Sequence, residues 1–307
     1  MYFYKAFGLN IHSEIVLPEL SDGDSTANAD LHIRVADFVL PPLKNTQIHR
    51  RSVKASFGQN EEKQLFLHWK GIAAFKAVNG NLLVVSPETD DQNLISLFTV
   101  SEALGLILFQ RGYFLLHASS VMVGDEAWCF MGTPGAGKST TAAAFIKAGC
   151  KLLSDDLTAI GFDSQGVAWV IPAYPQLKIW DKTVNGLVYD KASLQPVSEG
   201  VNKFSYQPKT GFQQEPVKLK ALYFLHKARN RKPLLPLSGP EIPIETLKNF
   251  PLPISLLNEE SLKKHFLQSF QCAKSAAMWQ KKRPEGFEKL EKWVNEAVDE
   301  VNVLMHE

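Results

Sequence analysis

Cysteine is scarce in this chain: three residues in 307, at Cys129, Cys150 and Cys272, with no C-x-x-C spacing. That argues against a disulfide framework and against a zinc site, and it suits a reducing compartment. Charge of one sign is also missing. Lys plus Arg number 33 against 32 Asp plus Glu, which leaves no basic field for nucleic acid or an anionic membrane. The N-terminal Met-Tyr-Phe-Tyr-Lys-Ala lacks the basic start and long apolar core of a signal peptide. The most apolar run, residues 94–109, is broken by Ser96, Thr99, Ser101 and Glu102 and is too short to span a bilayer. It is expected as a buried helix, ended by Gly112. The absences together point to a cytoplasmic protein with neither nucleic acid nor membrane as partner.

What is present is concentrated in one place. Gly132-Thr-Pro-Gly-Ala-Gly-Lys-Ser139, followed by Thr140, reads G-x-x-x-x-G-K-S, the Walker A phosphate loop. Its glycines let successive backbone N–H groups curl around an anion. Gly132, Thr133, Pro134, Gly135, Ala136, Gly137, Lys138, Ser139 and Thr140 are therefore the expected nucleotide-binding residues. Lys138 is expected to face solvent and reach the β- and γ-phosphates, and the Ser139 hydroxyl to ligate Mg²⁺. The loop opens a helix, so a positive helix end adds to the anion site. A chance glycine turn is the competing reading. It is disfavoured by the apolar Glu126-Ala-Trp-Cys-Phe-Met131 before the loop and by a helical stretch closed by Gly149 after it.

The 45% apolar content is ample for a sizeable core, and 307 residues suit two domains or one large one. The pattern divides near residues 90–112. Residues 2–10, 29–36, 64–70, 72–78 and 82–85 are short runs of strand type, and Asn79-Gly80 between the last two signals a hairpin. These define a β-rich N-terminal module over residues 1–90, packed by the 94–109 helix. Residues 91–307 form the second domain. Strands are expected at 113–123, 126–131, 151–156 and 219–225, with a hairpin of 157–162 and 167–171, a polar stretch at 181–216, and helices at 259–282 and 287–304. Trp293, Val294, Ala297, Val301 and Leu304 fall on one face of the last helix. The six tryptophans are scattered and read as core. The fold class is α/β with a mixed sheet rather than a regular Rossmann repeat.

Asp155-Asp156 lie 17 and 18 residues after Lys138, one helix and one turn further on. A strand returning beside the loop strand would bring both carboxylates to the γ-phosphate. There they can divide the holding of Mg²⁺ and proton abstraction from an incoming hydroxyl, mutual repulsion raising the pKa of one. On its own an Asp-Asp pair is an ordinary cap or turn. His117, 21 residues before Lys138, is by itself an ordinary core histidine. It becomes a candidate if its strand pairs with the loop strand, where it can orient an aspartate.

At these spacings His117, the 132–139 loop and Leu153-Ser-Asp-Asp156 resemble the catalytic domain of HPr kinase/phosphorylase, over residues 112–160. The resemblance implies a phosphoenolpyruvate-carboxykinase-like phosphate-loop fold, with ATP and Mg²⁺ as cofactors. It also implies His117, Lys138, Asp155 and Asp156 as the catalytic set, Asp156 as proton acceptor and Ser139 as a Mg²⁺ ligand. The segment 4–20, Leu116-His-Ala-Ser-Ser120 and Tyr174-Pro-Gln-Leu-Lys-Ile-Trp180 resemble a divergent branch, the HPr-kinase-like enzymes of lasso-peptide gene clusters. That branch implies phosphorylation of the C-terminal serine of a precursor peptide, the expected partner; whether the chain also forms a homo-oligomer is left open by the sequence. Two family features lack a counterpart: the segment carrying a metal-binding Glu, and the C-terminal loop that binds HPr. Asp181 is the nearest carboxylate to the first and so joins Ser139 and Asp155 as a candidate metal ligand. Lys203 is a candidate cation for the γ-phosphate. The basic run 226–232 suits an acidic peptide or phosphates, though such runs are more often solvated loops. A small-molecule kinase and a nucleotide-binding regulator or ATPase are the alternatives.

Overall fold

A computed structural model describes residues 1–197, 202–207, 212–229 and 232–306, with residues 304–306 described by backbone alone. The chain forms two compact units. One comprises residues 1–115 with 250–266, the other 116–249 with 267–307.

In chain order the first unit runs β1 (Tyr2–Ala6), β2 (Leu9–Ser13), β3 (Ser21–Asp22), β4 (Leu31–Val35), β5 (Lys44–Arg50), β6 (Val53–Gln59), β7 (Leu65–Trp69), β8 (Ala73–Val78) and β9 (Leu82–Pro87). The helices α1 (Gln92–Phe98) and α2 (Leu104–Gln110) follow, joined through a π-helical turn over Thr99–Ala103. The strands make one mixed sheet in the order β3-β1-β2-β4-β9-β8-β7-β6-β5. Asn79 and Gly80 both take positive φ (49° and 71°) between β8 and β9, as a tight hairpin requires. The expected run 2–10 is instead a hairpin, because Phe7 and Gly8 also turn with positive φ.

The apolar segment is helical and kinked at Ser101, whose ψ of −115° leaves the helical region. By length and composition Gln92–Gln110 would suffice to cross a membrane, and 72% of its most apolar window is buried. It packs on β8 and β9, with Phe98 edge-on to Trp69 at 5.0 Å. For that reason the unit extends to Leu115 rather than ending at residue 90. Residues 250–266 complete it, with Phe250 against Phe109 and His265 against Phe114.

Next come β10 (Phe114–Leu116), β11 (Ala118–Val123), β12 (Glu126–Met131), α3 (Lys138–Lys147), β13 (Lys151–Ser154), β14 (Thr158–Phe162), β15 (Ala168–Ile171), β16 (Leu177–Trp180) and α4 (Asp181–Gly186). The chain then continues through β17 (Gln195–Pro196), β18 (Lys203–Tyr206), β19 (Val217–His226), β20 (Leu234–Pro236), α5 (Glu241–Lys248), α6 (Glu259–Ser275), β21 (Ala277–Lys282) and α7 (Phe287–His306). In the second unit the strands run β14-β15-β19-β12-β11-β13. The sheet is mixed: β12 pairs with β19 in parallel and with β11 antiparallel. A three-stranded sheet, β16-β18-β17, occupies part of the stretch expected to be merely polar. The core gathers Phe130, Phe145, Val184, Leu290 and Val294, with Trp293 and Val301 packed against it. The side chain of Leu304 lies outside the described residues.

Three further expectations are corrected. The helix expected over 259–282 ends at Ser275, because residues 277–282 pair in parallel with Ala221–His226 and tertiary pairing overrides local propensity. The strand expected at 113–123 breaks at His117, whose N–H goes to the Asn249 carbonyl at 2.6 Å instead of to a ladder. Trp180 is not core: it is 56% exposed at the end of a strand.

Candidate active site

The phosphate loop sits between β12 and α3. Gly132 has φ +143°, and a Cβ there would lie 2.6 Å from the Leu225 carbonyl oxygen, so only glycine fits. Gly137, at φ +103°, caps α3 in the left-handed region. Pro134 falls in the exposed crest between Thr133 and Gly135, and the Ala136 N–H closes a turn on the Thr133 carbonyl at 2.9 Å. Lys138 does not face solvent as expected. It is 8% exposed, because its amino group folds back to donate to the Gly132 carbonyl at 2.9 Å. Burial lowers its pKa, against the charges of Asp156 and Asp155.

Asp155 follows β13, which pairs with β11 rather than with the loop strand itself. The carboxylates therefore arrive from the next strand but one, since β11 occupies the free edge of β12. Asp155 is buried and fully engaged. Its Oδ1 accepts from Ser119 Oγ at 2.6 Å and from Ser139 Oγ at 2.9 Å, and its Oδ2 accepts from the Lys178 N–H at 3.0 Å. Burial first, and then the charge on Asp156, push its carboxyl above the ordinary value, against those hydrogen bonds and the charge of Lys203.

Asp156 has φ +65°, and the Leu157 N–H bonds back to the Asp155 carbonyl at 2.8 Å across it. This tight three-residue turn is uncommon and costs on the order of 1–3 kcal/mol in backbone strain. It turns the second carboxylate toward an imidazole and an ammonium group. His117 Nε2 lies 4.0 Å from Asp156 Oδ1, and Lys178 Nζ lies 4.0 Å from Oδ2. The pairing of β11 with β12 carries His117 to the mouth of the loop.

The structure thus brings together Lys138, Ser139, Asp155, Asp156 and His117. Asp181 is placed apart. Its oxygens take Asn185 Nδ2 at 2.6 Å and Lys191 Nζ at 2.9 Å, at the start of the short α4. It lines a cleft of about 530 Å³ with Gly135, Gly137 and Thr140. Thr140 also pairs with Thr183, another lining residue of that cleft, hydroxyl to hydroxyl at 2.9 Å. Lys203 stands over the Trp180 ring at 5.6 Å. Of the basic run, residues 230 and 231 lie outside the described residues.

Three residues at the site were not singled out from sequence. Lys178, 5% exposed on β16, closes the ring around Asp155 and Asp156. A charged residue at an inward position of a strand is the signal that was there to read. Asn249 gives its side-chain oxygen to the Gly132 N–H at 3.0 Å and its own carbonyl to the His117 N–H. Arg283 lies against Gly137 from the far end of the chain, and no local pattern marks it.

The donors around Ser139 and Asp155 are hard oxygens, which suit Mg²⁺. Among the described residues no three His, Cys, Asp or Glu converge as a metal cluster. No protein-family model and no curated protein matches the chain. Among solved structures, the HPr(Ser) kinase/phosphatase from Coxiella burnetii is similar at 13% identity and a TM-score of 0.27, over 38% of this chain and 69% of that one.

Proposed function

We propose that the protein is a cytoplasmic, ATP-dependent kinase that moves the γ-phosphate of ATP to a serine hydroxyl of a peptide. The preferred acceptor is the C-terminal serine of a lasso precursor peptide. The observation that supports a kinase is the meeting of the phosphate loop with a second, strained carboxylate. Asp155 is engaged by Ser119, Ser139 and the Lys178 backbone, whereas Asp156 is turned out toward His117 and Lys178. In this reading one acid holds charge and the other accepts a proton.

In this reading Asp156 takes the proton of the acceptor hydroxyl as its oxygen bonds to the γ-phosphorus, and the bond to the β–γ bridging oxygen breaks to release ADP. His117 orients Asp156. Lys138 balances charge on the transferring group. Mg²⁺, held by Ser139 and Asp155, would neutralise phosphate charge when bound.

The test is incubation with ATP, Mg²⁺ and candidate peptides, followed by mass spectrometry. A gain of one phosphate on a peptide serine is expected. Phosphate on a small alcohol instead would move the assignment to a small-molecule kinase. Rapid ATP hydrolysis with no acceptor would move it to an ATPase or regulator.

A further inference from the structure

The cleft of about 530 Å³ beside the phosphate loop has a lining distinct from the carboxylate site: Lys138, Ser139, Asp155 and Asp156 take no part in it. Gly135, Gly137 and Thr140 form its loop side, and Lys227, Arg283 and Phe287 face it. The volume falls within the usual range for small-molecule pockets, roughly 300–1,000 Å³.

Arg283 is the unusual member. Its stem lies so close that a Cβ at Gly137 would meet Arg283 Cδ at 2.5 Å. Its main chain is fixed by an N–H bond to the His226 carbonyl at 2.9 Å. Its Nε is buried and has no hydrogen-bond partner among the described residues. A guanidinium with an unused buried donor costs free energy unless a ligand supplies the acceptor. Lys227 stands beside it, and Lys227, Arg229, Lys282 and Arg283 continue around a second cavity of about 230 Å³ where, among the described lining residues, only Glu285 opposes them. Phe287 is a half-buried aromatic, fixed by packing on Gly186, where its ring leaves no room for a Cβ. A ring held in this way offers a stacking face for a base.

We propose that this cleft is the subsite for the nucleoside end of the triphosphate, with Phe287 under the base and Arg283 and Lys227 binding oxygens of the α-phosphate. The assignment rests on the nucleotide-binding reading above and adds to it the residues that hold the non-reacting end. The planar guanidinium supplies paired donors to phosphate, and Lys227 adds a point charge.

The test is calorimetric titration with ATP and with ADP at two ionic strengths. The titrated proteins are the wild type, Arg283→Gln, Arg283→Lys and the exposed control Lys289→Gln, each checked for its melting midpoint. Arg283→Gln is expected to bind both nucleotides at least tenfold more weakly and with a shallower salt dependence. Arg283→Lys should recover part of the affinity, and Lys289→Gln should match wild type. A shallower salt dependence separates a lost phosphate contact from a merely loosened loop, because only the former removes a screened charge pair. Wild-type affinity and salt dependence in Arg283→Gln, or no recovery in a folded Arg283→Lys, would overturn the subsite. Failure of the wild type to bind ATP at all would instead sink the nucleotide reading on which it stands.

Discussion

The Ser139 hydroxyl donates to Asp155 Oδ1 at 2.9 Å, so the two groups best suited to share a divalent cation already touch each other. The same carboxylate oxygen takes Ser119 at 2.6 Å, a second hydroxyl that fixes the acid. A cation entering here replaces one hydrogen bond and leaves the rest of the cage in place. Activity is therefore expected to vanish with a chelator and return with Mg²⁺ or Mn²⁺. Elemental analysis should find no stoichiometric zinc.

Lys138→Met should lower phosphoryl transfer by about 100-fold or more, the scale of losing one preorganised charge contact. Because the amino group is buried on the Gly132 carbonyl, some stability should be lost as well. Steady-state kinetics and a melting curve on the same preparation separate the two effects.

The two aspartates should respond differently. Asp156→Asn keeps a residue type that tolerates left-handed φ, so the fold should survive while transfer falls by roughly 10²–10⁴-fold. Asp155→Asn should act through metal affinity, and excess Mg²⁺ should restore part of the rate. It should also change the response to pH. A carboxyl whose folded pKa is raised holds a proton that the unfolded chain has lost, so stability falls as pH climbs from 3.8 through the raised value. The Asn variant should lack that decline in metal-free buffer. Retention of transfer by Asp156→Asn, with its loss in Asp155→Asn, would exchange the roles.

His265 in the first unit gives a second pH signature of opposite sign. Burial against Phe114 and Phe250 pulls its imidazole down to about 4, from an ordinary 6.5. The folded chain binds fewer protons than the unfolded chain between those values, so its contribution is present above pH 6.5 and is lost as pH falls toward 4. His265→Phe should flatten that part of a stability–pH curve followed by denaturant titration.

The thiols should be inert in the native protein. Cys129 and Cys272 are buried and pushed up by burial, and the half-buried Cys150 is pushed up to about 11. Iodoacetamide at neutral pH should label none of them quickly, and all three after unfolding.

What was readable in the sequence is what is local. The loop, its feeding strand and its helix are contiguous, and so are Asn79-Gly80 and the hairpin of β14 with β15. What escaped depends on chain segments far apart. Residues 277–282 sit next to a long amphipathic helix and carry no mark of their parallel partner at Ala221–His226. The β5–β6 hairpin is too polar to announce itself, with Thr46 buried by a hydrogen bond to the Ala55 carbonyl at 2.9 Å. At the site, Lys138 and the Asp pair were visible through spacing. Lys178 needed the β16–β18 pairing, which puts it in the core at the register position opposite Ser205.

Asn249 has a bearing on how portable this phosphate loop is. The residue that receives the Gly132 N–H lies 117 positions downstream, and its side-chain nitrogen is held in turn by the Glu245 carbonyl at 2.8 Å. A fragment ending before residue 240 would carry every letter of the G-x-x-x-x-G-K-S signature yet lack the clasp on its first glycine. Grafts, split versions and shortened forms of this protein should be cut with that later segment retained, since the hold on the loop's first glycine is shared between the two halves of the chain.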